Sequence, residues 1–457
     1  MTHHNTASLG SLGRVHFIGI GGVGMSAVAR IMVARGVPVS GSDGKDLPVM
    51  QDLAAAGARI AVGYDAGNLQ DAQTVVAGSA IRDDNPELSA ARAAGLPVLH
   101  RSEALAATMA GHRVVTIAGT HGKSTTTSMV AVLLKQAGLD PSFAIGANVP
   151  ALGVNAAHGA SDIFVAEADE SDGSFLNYQP SIAVVTNVEA DHLDHYGTAD
   201  AVFASFDDFA ALLPPDGVLF ACADDPGARA LAERTAAKET TRVLTYGTAD
   251  DAAVRLKDDG PGSVSVEAAG GRYALDLKVP GRHNALNAAA AFAVALELGV
   301  APDQAAAALG HFTGASRRFE LKGQAGGVRV YDDYAHHPTE VRAALSAARS
   351  VAGGNKVHVL FQPHLFSRTR EFAAEFASAL DLADTALVLD IYPAREDPIP
   401  GVTSDLIANR LSNGRLVAAD DAVAGVVAAA RDGDVVLTVG AGDVTAYGPV
   451  IVEALRG

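Results

Sequence analysis

Short apolar runs that enter glycine-rich loops and then helical stretches recur along this chain, and that alternation limits its fold more than any other feature. Residues 14–37, RVHFIGIGGVGMSAVARIMVARGV, read as strand, tight turn and helix. VPVSGSD ends at Asp43, and TVVAGSAI (74–81) and PVLH (97–100) supply further strands, with alanine-rich helical stretches between. The pattern restarts near His112 with RVVTIAG, the loop IAGTHGKSTTT (117–127) and its helix, followed by the strands DIFVAEAD and SIAVVTNV and the helix NAAAAFAVALELG. It restarts again near residue 316 with GVRVYDDYA, KVHVLFQP, TALVLDIYP and DVVLTVGAGD. Strands that alternate with helices predict α/β units with parallel sheets covered on both faces. The expected organisation is three α/β domains in series, over residues 1–108, 109–315 and 316–457. The first and third are expected to be Rossmann-like and the central one to be of the P-loop ATPase type.

Composition narrows the chemistry. A net charge of −18 argues against nucleic acid, because phosphate neutralisation needs clustered Lys and Arg. A phosphorylated ligand must then be met locally, by glycine loops, helix N-termini and metals. The single cysteine, Cys222, excludes an internal disulfide and a cysteine-based zinc site. No apolar stretch approaches the ~20 residues needed to span a bilayer, and the N-terminus lacks a signal-like apolar run. The expectation is a cytoplasmic protein with no membrane partner. Nothing in the sequence fixes its oligomeric state.

Gly19, Gly21 and Gly24 satisfy G-x-G-x-x-G after a strand and before a helix, and Asp43 follows where a ribose-binding acid would sit. Such a loop accepts any diphosphate, whether of NAD or of a UDP-sugar, and it can also be a turn with no ligand. The second loop shifts the balance toward ATP. Gly119 and Gly122 allow close backbone approach, Lys123 can reach phosphate oxygens, and Ser124 can ligate Mg²⁺. The spacing is not the usual G-x-x-x-x-G-K-[ST], since Ile117 stands where the first glycine belongs. Two acidic stretches supply candidate metal ligands: FVAEADESDGSF, with Glu167, Asp169, Glu170 and Asp172, and TNVEADHLDHY, with Glu189, Asp191, His192, Asp194 and His195. Zinc competes for the histidines, but a phosphate loop favours Mg²⁺.

With these stretches in hand, the chain resembles the ATP-dependent Mur ligases of peptidoglycan synthesis. The motifs that carry the resemblance run in family order over nearly the whole chain: HFIGIGGVGMS, GTHGKSTTT, EADESDGSF, TNVEADHLDHY, GRHNALNAAAA, SRRFE, YDDYAHHPTE, FQPHLFSRTR and GAGD. The unusual loop spacing is the family's own variant. The resemblance implies ATP and Mg²⁺ as cofactors, with UDP-N-acetylmuramate and L-alanine as substrates. It implies a reaction in which the sugar's lactyl carboxylate is activated as an acyl phosphate and then takes the amine. Rival readings are a ligase that attaches a whole tripeptide to the same sugar, an NAD-dependent oxidoreductase, and a UDP-sugar binder without activity.

Roles follow from the resemblance residue by residue. Gly19, Gly21, Gly22, Gly24, Met25, Ser26, Asp43 and Ser79 are expected on the UDP-sugar. Gly119, Thr120, His121, Gly122, Lys123, Ser124 and Thr125 are expected on the ATP phosphates, with His283 and Asn284 near the adenine and Asp333 at the ribose. Ser124 and Glu167 are the expected ligands of one metal and His192 of a second. Arg318, with Arg317 beside it, is expected at ATP phosphate. Tyr334, His336, His364 and Arg368 are expected around the amino acid and the acceptor carboxylate. The chain departs from the family at Leu365, where Arg is usual, and at Gly78, where Ser is usual. No lysine lies in or beside TNVEADHLDHY, so His192 stands in for the carbamylated lysine of sister ligases.

Overall fold

The computed structural model describes residues 9–260, 262–394 and 396–457 and, of residue 194, the backbone alone. The chain divides into two compact units, residues 1–276 with 286–312, and residues 277–285 with 313–457. Among the described residues, three sheets underlie three α/β domains in series, two of them in the first unit.

The first sheet is parallel throughout, in the order Arg59–Val62, Val39–Asp43, Val15–Ile18, Thr74–Ala77, Val98–His100. The central strand Val15–Ile18 is buried at every position, as a continuous apolar run in a covered sheet should be. The strand order reverses between Val15–Ile18 and Thr74–Ala77. That is where an open α/β sheet offers a crevice at the carboxyl ends of its strands. The glycine loop leaves Val15–Ile18 at this point and opens the helix Val23–Ala34.

The second sheet has ten strands. Its parallel middle runs Val218–Cys222, Ile182–Val185, Arg113–Ala118, Ile163–Glu167, Ser142–Ala144. Both acidic stretches and the second glycine loop leave the carboxyl ends of three adjacent strands of this sheet, which is why residues far apart in sequence meet there. Antiparallel strands Val254–Gly260, Ser263–Ala268 and Gly271–Leu275 extend one edge. The helix Lys123–Gln136 is buried from Ser124 to Leu134, and two of its hydroxyls bond back along the helix: Thr127 Oγ1 donates to Lys123 O at 2.8 Å and Ser128 Oγ to Ser124 O at 2.6 Å. Such back-bonding lets a hydroxyl-rich helix lie in a core.

In the second unit, Glu320–Ala325 pairs antiparallel with Val328–Asp333, and the sheet continues in parallel through Val435–Val439, Val357–Phe361, Thr385–Val388 and Gly414–Leu416. Residues 277–285, which the sequence reading kept in the central stretch, group with this unit. Its core joins Phe361, Phe376, Leu345 and Leu437 on one side of the sheet. Among the described residues, no helix is long and apolar enough to cross a membrane.

Candidate active site

The phosphate loop is built by two glycines with left-handed backbones and by a neighbouring turn that holds it. Gly119 has φ +135°, and a Cβ there would collide with Thr186 Oγ1. Gly122 has φ +81° and caps the helix Lys123–Gln136. The turn after Ile182–Val185 grips the loop from the side. Asn187 accepts His121 N–H at 2.7 Å and donates to His121 O at 3.0 Å, and Thr186 Oγ1 donates to the same carbonyl at 2.6 Å. Thr120 Oγ1 accepts Glu189 N–H at 2.9 Å. The first backbone N–H groups of the helix, at Lys123, Ser124 and Thr125, lack intrahelical acceptors and add to the dipole, an arrangement suited to an anion.

Lys123 is partly buried and donates to Gly119 O at 2.7 Å, Thr120 O at 3.1 Å and Glu170 Oε1 at 2.9 Å. Burial alone would lower its pKa, but Glu170, Asp169 and Glu167 outweigh burial and raise it, so the ammonium stays charged. Ser124 Oγ donates to Glu167 Oε1 at 2.9 Å, and Gly146 N–H to Glu167 Oε2 at 2.7 Å. Burial also pushes Asp169 up, yet Lys123, the Ser171 N–H and Arg101 hold that carboxyl below its ordinary value. His192 adopts φ +56°, and its Nε2 lies 3.5 Å from Glu170 Oε1 and 3.6 Å from Asp191 Oδ2. Ser124, Glu167 and His192 are thus brought to one acidic pocket around a lysine.

At the N-terminal loop, Gly19 has φ +80°. Asp43 Oδ2 accepts Gly21 N–H at 3.0 Å and its Oδ1 accepts Lys45 N–H at 3.2 Å, so the acid braces the loop. Gly22 is exposed, and the helix start at Val23 is half open. Met25 and Ser26 are buried. Ser26 spends its N–H on Gly22 O at 2.8 Å and its hydroxyl on Val23 O at 3.1 Å, so a ligand at the helix start meets other donors first. Ser79 Oγ donates to Asp172 Oδ2 at 3.1 Å and lies 3.2 Å from His100 Nε2.

The second unit carries its own cluster. Arg317 directs its guanidinium to the carbonyls of Gly440, at 2.6 Å, and Gly442, at 3.1 Å, and lies 3.4 Å from buried Asp332. Of the paired arginines, it is the one that anchors the GAGD loop. Arg318 packs over Tyr334, with its guanidinium carbon 5.1 Å from the ring centroid. The Tyr334, His336 and His364 rings meet edge to face at 5.3 and 5.9 Å. Arg368 is buried in the short helix Phe366–Glu371. Burial pushes Asp333 up to about 6, against Arg318 and the N–H groups of Ala335 and Phe319, which it accepts at 2.8 Å each. Burial pushes His283 down to about 4. Asn284 is buried and donates to Pro280 O at 2.7 Å.

Comparison with known families matches residues 14–113 to "Mur ligase family, catalytic domain", residues 117–295 to "Mur ligase middle domain" and residues 317–442 to "Mur ligase, glutamate ligase domain". The chain belongs to the Mur ligase family. A UDP-N-acetylmuramate–L-alanine ligase of Paenarthrobacter aurescens is 85% identical over 99% of both chains, and one of Renibacterium salmoninarum is 63% identical over 98% of this chain and 97% of its own. Among solved structures, UDP-N-acetylmuramate-alanine ligase from Thermotoga maritima matches with TM-score 0.79 and 30% identity over 97% of this chain and 99% of that one. A murein peptide ligase from Psychrobacter arcticus matches with TM-score 0.72 and 25% identity over 97% and 99%.

The fold of this Mur ligase also brings to these clusters residues to which the sequence reading gave no specific partner. Glu170 was visible as one of four acids, but no spacing rule says which of them turns inward to Lys123. Asn187 follows a strand with nothing to mark it as the clamp on His121. Tyr392 lies nearly parallel to His364, with centroids 5.9 Å apart, and Glu396 accepts Ser367 N–H at 2.9 Å at the start of the helix carrying Arg368. Both come from the loop after Thr385–Val388, and only the folded chain brings that loop to QPHLFSRTR.

Proposed function

We infer that this chain is an ATP-dependent ligase that joins L-alanine to the lactyl carboxylate of UDP-N-acetylmuramate. The observation that carries this is the 85% identity to a ligase of that name over 99% of both chains. A phosphate loop with a charged lysine supports it. Joining a carboxylate to an amine in water is uphill, and ATP can activate the carboxylate. A carboxylate oxygen attacks the γ-phosphorus, ADP leaves, and an acyl phosphate forms. The alanine amine then attacks the acyl carbon, and phosphate departs with the former carboxylate oxygen.

The residues present fit ATP and Mg²⁺. The loop offers backbone N–H groups and one ammonium. Ser124, Glu167, Glu170 and Asp191 form a set of oxygen donors of the kind Mg²⁺ prefers, with His192 beside them. Mg²⁺, when bound, would neutralise phosphate charge as two anions approach. In this proposal, Lys123 orients and neutralises the phosphate tail, and Glu170 keeps the ammonium in place. Ser124 and Glu167 would hold one metal and His192 another. The Tyr334–His336–His364 cluster would receive the amino acid, and an imidazole there is suited to take the amine proton. The N-terminal glycine loop would hold the diphosphate of the sugar nucleotide.

Phosphate release from ATP tests the reading, with UDP-N-acetylmuramate and, in separate tubes, L-alanine, glycine, L-serine and the tripeptide L-Ala-γ-D-Glu-meso-diaminopimelate. Turnover that needs both the sugar nucleotide and L-alanine is expected. Turnover with the tripeptide alone would make this chain a murein peptide ligase instead.

A further inference from the structure

In the reading above, the N-terminal loop meets a diphosphate with backbone N–H groups, in a chain of net charge −18. Arg101 stands where a balancing cation is needed. It is the first residue of the helix Arg101–Met109, and its side chain reaches across to the start of the glycine-loop helix Val23–Ala34. A Cβ placed on Gly24 would lie 3.0 Å from Arg101 Cδ, 3.2 Å from Nη1 and 3.3 Å from Nε. The third glycine of G-x-G-x-x-G therefore gives the guanidinium room against the helix start.

Arg101 is also in an awkward place for its own helix. A cation in the first turn opposes the dipole, and this helix is otherwise well capped, with His100 and Glu103 forming a reciprocal box. A break in a local rule without a local gain points to a task elsewhere. Among the described residues, the ion pair of Arg101 is to Asp169 Oδ2 at 3.8 Å, too long for a hydrogen bond. The guanidinium is 23% exposed at the side chain, at a helix start whose Val23 is 50% exposed. Asn155, just before the short strand Ala156–Ala157, donates to Val23 O at 3.0 Å and fixes that start.

We propose that Arg101 binds the diphosphate of the sugar nucleotide and that Gly24 is glycine to admit it. This rests on the UDP-sugar reading of the loop. Arg suits the task because its planar fork pairs with two phosphate oxygens at once.

The test is calorimetric affinity for UDP-N-acetylmuramate, UDP, uridine and ATP in the full-length protein and in Arg101→Ala and Arg101→Lys. Arg101→Ala is expected to weaken the sugar nucleotide and UDP by about tenfold or more, the worth of a charged hydrogen-bond pair. It should flatten their salt dependence and leave uridine and ATP unchanged. Arg101→Lys should lose less. Should Arg101→Ala melt early, Arg101→Gln takes its place. UDP affinity within about twofold of the parent in a folded variant, or a loss confined to ATP, overturns the assignment. A parent protein that binds UDP but not UDP-N-acetylmuramate would sink the ligase reading and leave Arg101 standing. One that binds neither sinks both.

Discussion

Lys123 has three acceptors, two loop carbonyls and Glu170. That arrangement fixes the ammonium at the mouth of the loop and explains why a lysine can be partly buried there and still carry charge. Lys123→Ala is expected to abolish ADP formation while UDP-N-acetylmuramate still binds, because the two substrates use different glycine loops. Loss of sugar-nucleotide binding in a folded variant would count against that division. Glu170 is 1% exposed, and its removal takes one of the three acceptors from the Lys123 ammonium. Glu170→Ala should lower stability by about 1–3 kcal/mol, the worth of a hydrogen bond to a charged group. Chemical denaturation reads this directly. His283 makes a pH prediction. Its folded pKa is about 4, below the ordinary value of about 6.5. As pH falls from about 6.5 toward 4, the unfolded chain takes up a proton that the folded chain refuses, so stability is lost over that window. His283→Gln should lose less melting temperature than the parent on acidification from about pH 7 to about pH 5. Equal acid slopes would refute burial as the cause.

At the scale of elements, the loops show what a sequence reveals and what it hides. The turn at Gly119 was legible, because only glycine accepts φ +135° with Thr186 behind it. Gly119→Ala should therefore cost about 1–3 kcal/mol of backbone strain and most of the ATP-dependent turnover, as melting and ADP release would show. The clamp of Asn187 on His121 was not legible, since it depends on parallel strands that place residues 121 and 187 side by side. The helix Phe366–Glu371 was hidden for a similar reason. It is six residues long, starts from Leu365 at φ +70°, and takes its N-terminal acceptor, Glu396, from another loop. Glu396→Ala should cost about 0.5–2 kcal/mol as a lost cap. If the helix positions Arg368 for the acceptor, it should also raise KM for L-alanine more than KM for ATP. An unchanged KM would leave Glu396 a purely structural cap.

At the scale of the whole molecule, strand–helix alternation was enough to predict parallel α/β sheets, because buried parallel strands read as unbroken apolar runs. What it did not reveal was the grouping of residues 277–285 with the second unit, which depends on tertiary contacts with no local signature. The motifs named the chemistry but not its geometry. GTHGKSTTT, EADESD and TNVEADH each looked like a loop with acids or hydroxyls. Their meeting at the ends of three adjacent strands makes them one site. The central claim is that this site uses ATP to turn the sugar's carboxylate into an acyl phosphate before the amine attacks. The most direct measurement uses UDP-N-acetylmuramate with both carboxylate oxygens replaced by ¹⁸O, ATP and L-alanine, and weighs the released phosphate by mass spectrometry. One ¹⁸O in every phosphate formed is the predicted result. Phosphate without label, alongside formation of the amide product, would contradict the claim.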